Sequence, residues 1–477
     1  MNVSPEGRLS LEQVKYVEVS DPPLLRAGDV LFNNTNSPVW VGKTACIGRD
    51  EQVTYSNHMT RIRLKKQAGL PSFYAWQLHH LQQSGYFLAR CKKHVNQASI
   101  STTYLSDVVH LRVAPANEQR RIVETIEEQF SRLDAGVTAL ERVRTNLKRY
   151  RTAVLKAAVE GRLTEAWRKE NPDVEPASEM LERILKERRE RWEKDQLAAY
   201  EKKGKKPPKN WRSKYREPAG PNTEDLPELP ERWCWASTEA LAQFVTSGSR
   251  GWAKYYSDDG ATFVRMGNLD HETVTLDLSH VQRVNPPAGA EGTRTRVQPN
   301  DILVSITAEL GMIALAPDDL DEAYINQHVA LARPVNGRTG KYLAWYLASR
   351  NGNRQLQSLR RGATKIGLGL DDIRAVNIAL PPLAEQGQIV AEIERRLSIL
   401  QEVEAEVEAN LKRAARLRQS ILKRAFEGKL VPQDPTDEPA SELLARIRTE
   451  RERSSPAQRR KKKPARDEPA EAQPGLF

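Results

Sequence analysis

The sequence PANEQRRIVETIEEQF at residues 115–130 is followed by PLAEQGQIVAEIERRL at residues 382–397, and these two related stretches decide the fold. Each opens a segment rich in Glu, Arg, Leu and Ala, with no proline after its start, and the two segments end at Gly161 and Gly428. Glycine ends helices readily because it adopts a left-handed conformation without strain. Since both the starts and the ends are 267 residues apart, the sequence predicts two long helices of equal length, over residues 117–160 and 384–427.

Apolar residues follow a seven-residue spacing along both predicted helices, which is typical of a stripe that packs against another helix. A helix of this length spans about 66 Å at 1.5 Å per residue, more than a small domain can cover. We therefore expect the two stripes to pack against each other, rather than each on its own domain. The stripes contain Val123, Ile126, Phe130, Leu133, Val137, Leu140, Leu147 and Val154, and Val390, Ile393, Leu397, Leu400, Val407, Leu411 and Ile421. The residues that interrupt them are Arg144, Arg151, Glu404, Ala414 and Arg418.

The internal similarity extends beyond the two helices. Upstream, GDVL at residues 28–31 corresponds to NDIL at 300–303, and downstream, EPASE at 175–179 recurs at 438–442. Long-period similarity in a conserved order indicates a tandem duplication. Each copy begins with short β-type runs broken by Gly, Pro and Asn, which predict a mixed α/β domain.

The predicted fold class is α+β: two mixed α/β domains separated by two long helices that form an antiparallel coiled coil, with a pseudo-twofold relation between the copies. The predicted segments are a first globular domain at 1–114, a helical region and linker at 115–225, a second globular domain at 226–381, a second helical region at 382–450 and a disordered basic tail at 451–477.

Composition narrows the class of partner. The chain of 477 residues has a formal net charge of +11 and a pI near 9.4, which favours a polyanion such as nucleic acid. Its three cysteines show no spacing typical of zinc sites or disulfide frameworks, which fits a reducing cytoplasm. No export signal and no stretch of about 18 apolar residues is present, so we expect a cytoplasmic protein without a membrane span.

Two stretches resemble motifs of catalytic or nucleotide-binding proteins, but each lacks a residue that the motif requires. VWVGKT at residues 39–44 ends like a phosphate-binding loop, but position 37 is Ser where the first glycine is needed. NPPA at 285–288 resembles a base-holding motif of methyltransferases, but Ala288 has no ring to stack on a base. The eight histidines show no metal-ligand spacing. We therefore expect a binding protein with no catalytic residue, no metal site and no cofactor of its own.

Residues suited to DNA recognition occur in both globular domains. Arg and Lys neutralise phosphates, whereas Arg and Asn also read base edges in the major groove. For each residue alone, the alternative is an ordinary solvated surface position. The candidate DNA-binding residues are Asn33, Asn34, Asn36, Lys43, Arg61, Arg63, Lys92 and Lys93 in the first domain, and Arg250, Trp252, Lys254, Tyr255, Arg265, Asn268, Arg360, Arg361 and Lys365 in the second.

These features together resemble a known family. A variable domain ending in LPPLAEQ at 380–386, a heptad helix ending in AFEGKL at 425–430, and then EPASE, all present twice, resemble the specificity subunit (HsdS) of type I restriction-modification systems. GATKIGLGLDDI at 362–373 also looks like the end of a target recognition domain of that family.

The resemblance implies a non-catalytic subunit of a type I restriction endonuclease and adenine-N6 DNA methyltransferase, a bacterial defence system. Each target recognition domain would read one half of a bipartite, asymmetric site in double-stranded DNA. Two methyltransferase (modification) subunits would dock on the two copies and bring S-adenosylmethionine. Two restriction (motor-nuclease) subunits would add ATP- and Mg-dependent translocation and cleavage.

One departure from a symmetrical duplication concerns the first domain. The stretch LPELPERWCWASTEAL at residues 226–241 has no counterpart in the first copy, so we expect the first recognition domain to be N-terminally incomplete. The alternative function is a coiled-coil scaffold protein without sequence-specific DNA binding. Such a scaffold would retain no methyltransferase partner and would show no sequence-selective, salt-dependent binding to DNA.

Overall fold

The computed structural model describes residues 2–12, 14–18, 23–65, 68–95, 97–224, 226–248, 250–286, 289–359 and 367–453. It divides into two compact units. Unit 1 contains Met1–Arg142 and Val407–Phe477, and unit 2 contains Val143–Glu406. Two segments for which the sequence made predictions lie outside the described residues: 360–366, which contains candidate DNA-binding residues, and 454–477, most of the predicted basic tail.

The globular part of unit 1 is built on a three-stranded antiparallel sheet. Its strands and helices are β1 (Asp29–Asn33), β2 (Thr35–Asn36), β3 (Thr44–Cys46), β4 (Met59–Arg63), α1 (Pro71–Gln83), β5 (Lys92–Lys93), β6 (Ala98–Ser99) and α2 (Thr102–Asp107). The strand order is β3-β1-β4, with a second small sheet in the order β2-β6-β5. Every residue of β1 is buried, because α1 covers one face and Val3, Leu9 and Leu25 lie on the other.

Unit 2 repeats this plan with additional strands. After α3 (Ala116–Val159), which both units share, its elements are α4 (Glu165–Glu170), α5 (Ala177–Lys202), β7 (Cys234–Ser237), α6 (Thr238–Leu241), β8 (Ala242–Ser247), β9 (Tyr256–Ser257), β10 (Ala261–Val264), β11 (Gln282–Val284), α7 (Ala290–Thr295), β12 (Ile302–Ser305), β13 (Ile313–Leu315), β14 (Ala323–Ile325), β15 (Val329–Pro334), α8 (Gly340–Ala348), α9 (Arg350–Ser358), α10 (Leu370–Arg374) and β16 (Asn377–Leu380). Then come α11 (Leu383–Phe426), again shared, and α12 (Ala440–Arg453), which belongs to unit 1.

The sheets of unit 2 contain the same three-stranded core. The order β13-β12-β15 corresponds to β3-β1-β4, and β8 extends this sheet at the edge of β15. A second sheet has the order β14-β10-β11-β9, and β16 pairs with β7. Strand β7 lies in the stretch that has no counterpart in the first copy, so this pairing is specific to unit 2.

A buried carboxylate pairs with an arginine at the same place in both cores. In unit 1, Arg63 donates to both oxygens of Asp29, at 2.6 and 2.7 Å. In unit 2, Arg333 donates to both oxygens of Asp301, each at 2.7 Å. Both carboxylates are fully buried, and each also accepts a backbone N–H three residues earlier. Such bidentate pairs fix geometry because the planar guanidinium matches the carboxylate.

His58 and His328 occupy matching positions in the two copies, and each accepts an equivalent main-chain hydrogen bond. The carbonyl of His58 accepts the N–H of Asn34 at 3.0 Å, and that of His328 accepts the N–H of Ile306, also at 3.0 Å. The His328 ring additionally lies 2.7 Å from Thr307 Oγ1. The conserved element is therefore a structural hydrogen bond of the backbone.

The joint between each globular domain and its helix is the same in both copies. Gln119 donates to the carbonyl of Ala114 at 2.8 Å, and Gln386 donates to that of Pro381 at 2.9 Å. Both glutamines are buried. Their side chains satisfy a carbonyl just before the helix and so fix the direction in which the chain enters it.

The two long helices have 44 residues each and pair in an antiparallel manner inside each unit. In unit 1, Ile126 and Phe130 near the start of α3 share a core with Ile421 and Phe426 near the end of α11. In unit 2, residues near the end of α3 share a core with residues near the start of α11, namely Leu155, Ala158, Val159, Ile389, Ile393 and Leu397. Each buried Leu, Ile, Val or Phe side chain among these contributes roughly 1.5–3 kcal/mol. The predicted fold class, two mixed α/β domains with an antiparallel pair of long helices, is confirmed.

Polar residues that interrupt the apolar stripes form ion pairs between the helices. Arg418 pairs with Asp134 in unit 1 and lies over the ring of Phe130 at 5.0 Å. Arg151 pairs with Glu404 in unit 2 at 3.0 Å. A charged pair at a stripe position specifies the register of two helices, because a shift would leave both charges unpaired.

Helix ends follow the glycine signals. Gly161 and Gly428 have φ values of +72° and +73°, in the left-handed region, and the helices end two residues earlier. Among the described residues, no helix combines the length and apolar character needed to cross a membrane.

Candidate nucleic-acid interface

Several candidate residues of the first domain hold their own loops in place. Asn34 donates to Thr60 Oγ1 at 3.0 Å and to the carbonyl of Asn57 at 3.2 Å. Asn36 accepts the N–H of Ser37 at 2.8 Å, and Asn33 is buried at the end of β1. These amides lie close together after β1, and they connect it to the turns on either side.

Lys43 is the most buried of the candidate cations. Only 3% of its surface is exposed, and its ammonium donates to the carbonyl of Val3 at 2.5 Å. Burial lowers the pKa of the Lys43 ammonium from its ordinary value, because the surroundings disfavour its charged form. Its side chain ties the N-terminal segment to the sheet.

The remaining candidates of the first domain differ in exposure. Arg63 forms the ion pair with Asp29, and Arg61 lies half-buried over the ring of Tyr55 at 5.4 Å. Lys92 and Lys93 form the two-residue strand β5, and both are exposed. Neither lysine forms an ion pair within the described part of the chain, so both ammonium groups are available to a phosphate.

In the second domain, two candidates belong to the core. Trp252 is 3% exposed and stacks on Phe263, with ring centroids 5.2 Å apart and planes 5° from parallel. Asn268 is buried, accepts the N–H of Arg265 at 2.9 Å and donates to the carbonyl of Asp277 at 2.8 Å. These two side chains fix the loops between β8 and β11.

Three cations are exposed on the same loops. Arg250 precedes the turn that buries Trp252, Lys254 lies within it and 4.9 Å from the Tyr255 ring, and Arg265 follows β10. None of the three forms an ion pair with another described residue. These exposed cations thus lie on or next to the loops that Trp252 and Asn268 fix in place. Arg360, Arg361 and Lys365 lie outside the described residues.

A buried glutamate that the sequence did not single out organises the start of α11. Glu385 is fully buried and accepts hydrogen bonds from Thr164 Oγ1 at 2.7 Å and from Trp233 Nε1 at 2.8 Å. It also pairs with Arg168. The matched residue in the first copy is Glu118, which forms no ion pair in the portion of the chain described. The sequence signal that could have pointed to Glu385 is its place in the repeated stretch at the start of each long helix. Only the fold shows the three groups that donate hydrogen bonds to it.

No metal site was predicted from the sequence. Across the described ranges, no group of three or more His, Cys, Asp or Glu side chains is arranged to hold a metal ion.

Comparison with known proteins gives consistent matches. Residues 291–413, from α7 into α11, match the model of the type I restriction modification DNA specificity domain. The type I restriction enzyme EcoBI specificity subunit of Escherichia coli is 25% identical over 385 residues, which cover 78% of this chain and 69% of that subunit. The EcoDI specificity subunit, also from Escherichia coli, is 24% identical over 372 residues, covering 75% and 72%.

A solved structure shares the fold. It comes from a study of complex assembly and conformational transition of the type I R-M system, and it superposes with a TM-score of 0.56 at 17% identity, covering 85% of this chain and 83% of that one. The duplicated core, the paired helices and these matches confirm the resemblance seen in the sequence. The chain is thus similar over most of its length to the specificity subunits of type I restriction enzymes, and its residues 291–413 match the DNA specificity domain of type I restriction-modification systems.

Proposed function

We propose that each globular domain of this chain reads one half of a bipartite, asymmetric site in double-stranded DNA. The observation that carries the proposal is the duplicated core: both domains have the same three-stranded sheet, the same buried Asp–Arg pair and the same joint to a 44-residue helix. Two related domains with different loops suit two different half-sites, because loops on a rigid sheet vary without disturbing it.

The exposed cations supply the first contacts in this proposal. In unit 2, Arg250, Lys254 and Arg265 neutralise phosphates or, for the arginines, read guanine bidentately. In unit 1, Lys92 and Lys93 are the corresponding exposed pair. The buried candidates, including Trp252 and Lys43, act indirectly by fixing the loops that carry these side chains.

The two helices set the gap between the half-sites, and the two copies each dock one methyltransferase subunit. Seven residues inserted into each helix, after Arg142 in α3 and after Glu406 in α11, preserve the heptad phase and add about 10 Å. At about 3.4 Å per base pair, the gap grows by about three base pairs. A gap that stays the same in the longer protein contradicts the role of the helices as a spacer.

In this proposal the chain carries out no bond-making step. Its partners are double-stranded DNA, two methyltransferase subunits that bind S-adenosylmethionine, and two restriction subunits that bind ATP and Mg. The chain supplies the choice of sequence and the surfaces on which these subunits meet.

The test is to express the chain together with its neighbouring methyltransferase and to map modified adenines across a genome. We expect one bipartite motif with a fixed gap. Changing Arg250, Lys254 and Arg265 together to Ala is expected to relax the second half-site, whereas changing Lys92 and Lys93 to Ala weakens the first. Loss of both halves in either variant would contradict the assignment of one domain to each half. A chain that retains no methyltransferase and prefers no sequence would instead be the scaffold.

A further inference from the structure

A second cationic surface lies outside both sets of candidate residues, at the end of α5 in unit 2. We name residues 202–209, KKGKKPPK, the lysine loop. It contains five lysines, and from residue 202 to residue 216 the sequence has no acidic residue. All five lysines are exposed. None forms an ion pair with another described residue, so the positive charge of this loop is not neutralised within the chain.

Three arginines of the preceding helix α5 are, by contrast, paired. Arg183 pairs with Glu175, Arg191 with Glu187, and Arg189 with Glu193. These pairs are exposed and contribute little to stability, but they cancel charge along the helix. Lys186 and Lys194 are exposed on α5 and form no ion pair with another described residue, so single unpaired cations also occur along the helix, whereas the lysine loop places five of them within eight residues.

Both ends of the lysine loop are fixed. At its start, Gly204 takes the left-handed conformation with φ +63°, and the N–H of Lys205 donates back to the carbonyl of Tyr200 at 3.0 Å. Proline restricts the backbone at positions 207 and 208. A loop with fixed ends and two prolines loses less conformational entropy on binding than a free chain does.

The far end of the loop is held by aromatic residues. Trp211 is buried and stacks on Trp192 of α5, with centroids 6.0 Å apart and planes 19° from parallel. Tyr215 lies 5.3 Å from the same Trp192, and its hydroxyl accepts a bond from Arg188 at 2.7 Å. The aromatic rings are thus turned onto α5, whereas all five lysines of the loop face solvent.

We propose that the lysine loop is a sequence-independent binding site for the phosphate backbone of double-stranded DNA. Lysine is a strongly hydrated point charge, suited to phosphates rather than to base edges. Protein interfaces, by contrast, are depleted in lysine and have an apolar or aromatic core, which this loop lacks. The inference rests on the proposed function only in taking DNA as the polyanion. The lysine loop adds affinity for DNA without sequence selectivity, separately from the recognition domains.

The test measures how binding of the full-length chain to DNA depends on salt. Fluorescence anisotropy is recorded at several salt concentrations with two duplexes, one carrying the mapped site and one unrelated. The main variant changes all five lysines to Gln, and a second changes them to Arg. The charge-matched control changes five exposed cations of α11 to Gln: Lys412, Arg413, Arg416, Lys423 and Arg424.

We expect the Gln variant to flatten the plot of log K against log[salt] by about 0.9 for each phosphate that the loop no longer neutralises, up to about 4.5 for five. Affinity falls by the same factor for both duplexes, so their ratio is unchanged. The Arg variant retains the wild-type slope because it keeps the charge. Melting curves of the two lysine-loop variants are expected to match that of the wild type, since these lysines are exposed and form no ion pair with another described residue.

Three results overturn the inference: an unchanged slope in the Gln variant, an equal loss in the α11 control, or unchanged DNA binding with loss of the methyltransferase partner, which would make the loop a protein-binding surface. Failure of the proposed function gives a different pattern. The wild-type chain would then bind both duplexes equally, while the slopes would still report whether the lysine loop contacts phosphate.

Discussion

Replacing Glu385 by Gln is expected to destabilise unit 2 by about 3–5 kcal/mol. The carboxylate is fully buried and accepts from Thr164 and Trp233 while neutralising Arg168, whose side chain is only 18% exposed. Glutamine has the same shape but only one accepting oxygen and no charge. The change therefore leaves a largely buried guanidinium without its partner, and it leaves at least one donor unsatisfied.

The matched residue Glu118 provides the control. It also lies in the first turn of a long helix, where a negative charge stabilises the helix by about 0.3–1 kcal/mol. In unit 1, which contains Glu118, Val431 follows Leu430 where Thr164 follows Leu163 in unit 2, and the stretch containing Trp233 has no counterpart in the first copy. Glu118→Gln is therefore expected to reduce stability by less than about 1 kcal/mol.

Hydrogen exchange measured by mass spectrometry distinguishes the two effects, because it reports opening free energies for separate segments. Faster exchange is expected in peptides covering residues 233–237 and 377–386 of Glu385→Gln, and in no peptide of Glu118→Gln to the same degree. Equal effects of the two substitutions, or a loss below about 1 kcal/mol for Glu385→Gln, would refute the reasoning that the three donors depend on the carboxylate.

Further predictions concern pH, register and thiol chemistry. Burial lowers the pKa of His79 to about 4 from 6.5, so the unfolded chain binds the proton more tightly and unit 1 loses stability as the pH falls from 6.5 towards 4. The loss is about 2 kcal/mol at pH 5 and should be absent from His79→Gln in urea titrations; equal pH profiles would contradict it. Arg151 also pairs with Glu272 at 2.9 Å, so Arg151→Glu is expected to destabilise unit 2 by about 1.5–3 kcal/mol, and adding Glu404→Arg should restore only the part of the loss that comes from the Glu404 pair. Thermal melts that show no recovery in the double variant would contradict this pairing. Burial raises the pKa of Cys46 and of Cys234 to about 11, so at pH 8 alkylation of both should be slow in the folded chain and fast in urea; rapid labelling of the folded chain argues against burial.

The helices were predictable from sequence because their signals are local. Gly161 and Gly428 mark the ends, and the structure has helices at Ala116–Val159 and Leu383–Phe426, one residue from the predicted bounds. The seven-residue spacing also predicted the pairing. Even the interruptions at Arg151 and Arg418 have a reason, although the sequence did not show that Glu404 and Asp134 would face them.

The role of a polar residue in the globular domains depends on distant partners and was not predictable in the same way. Lys43 contacts the carbonyl of Val3, forty residues earlier in the chain, and Asn268 contacts the loop nine residues later. From residue type alone, these buried residues cannot be distinguished from an exposed one such as Lys254. Whether any candidate touches DNA remains a prediction, and the exposed cations are the ones whose charge is not already used within their domain.

The repeated joint has a consequence for protein engineering. Because Gln119 and Gln386 make the same hydrogen bond to the residue at the end of each globular domain, a domain excised at residue 114 or 381 carries an interchangeable connector. A foreign module grafted at that point would meet its helix through bonds already present in the host. New binding preferences could then be assembled by exchange of modules, without redesign of the helical scaffold.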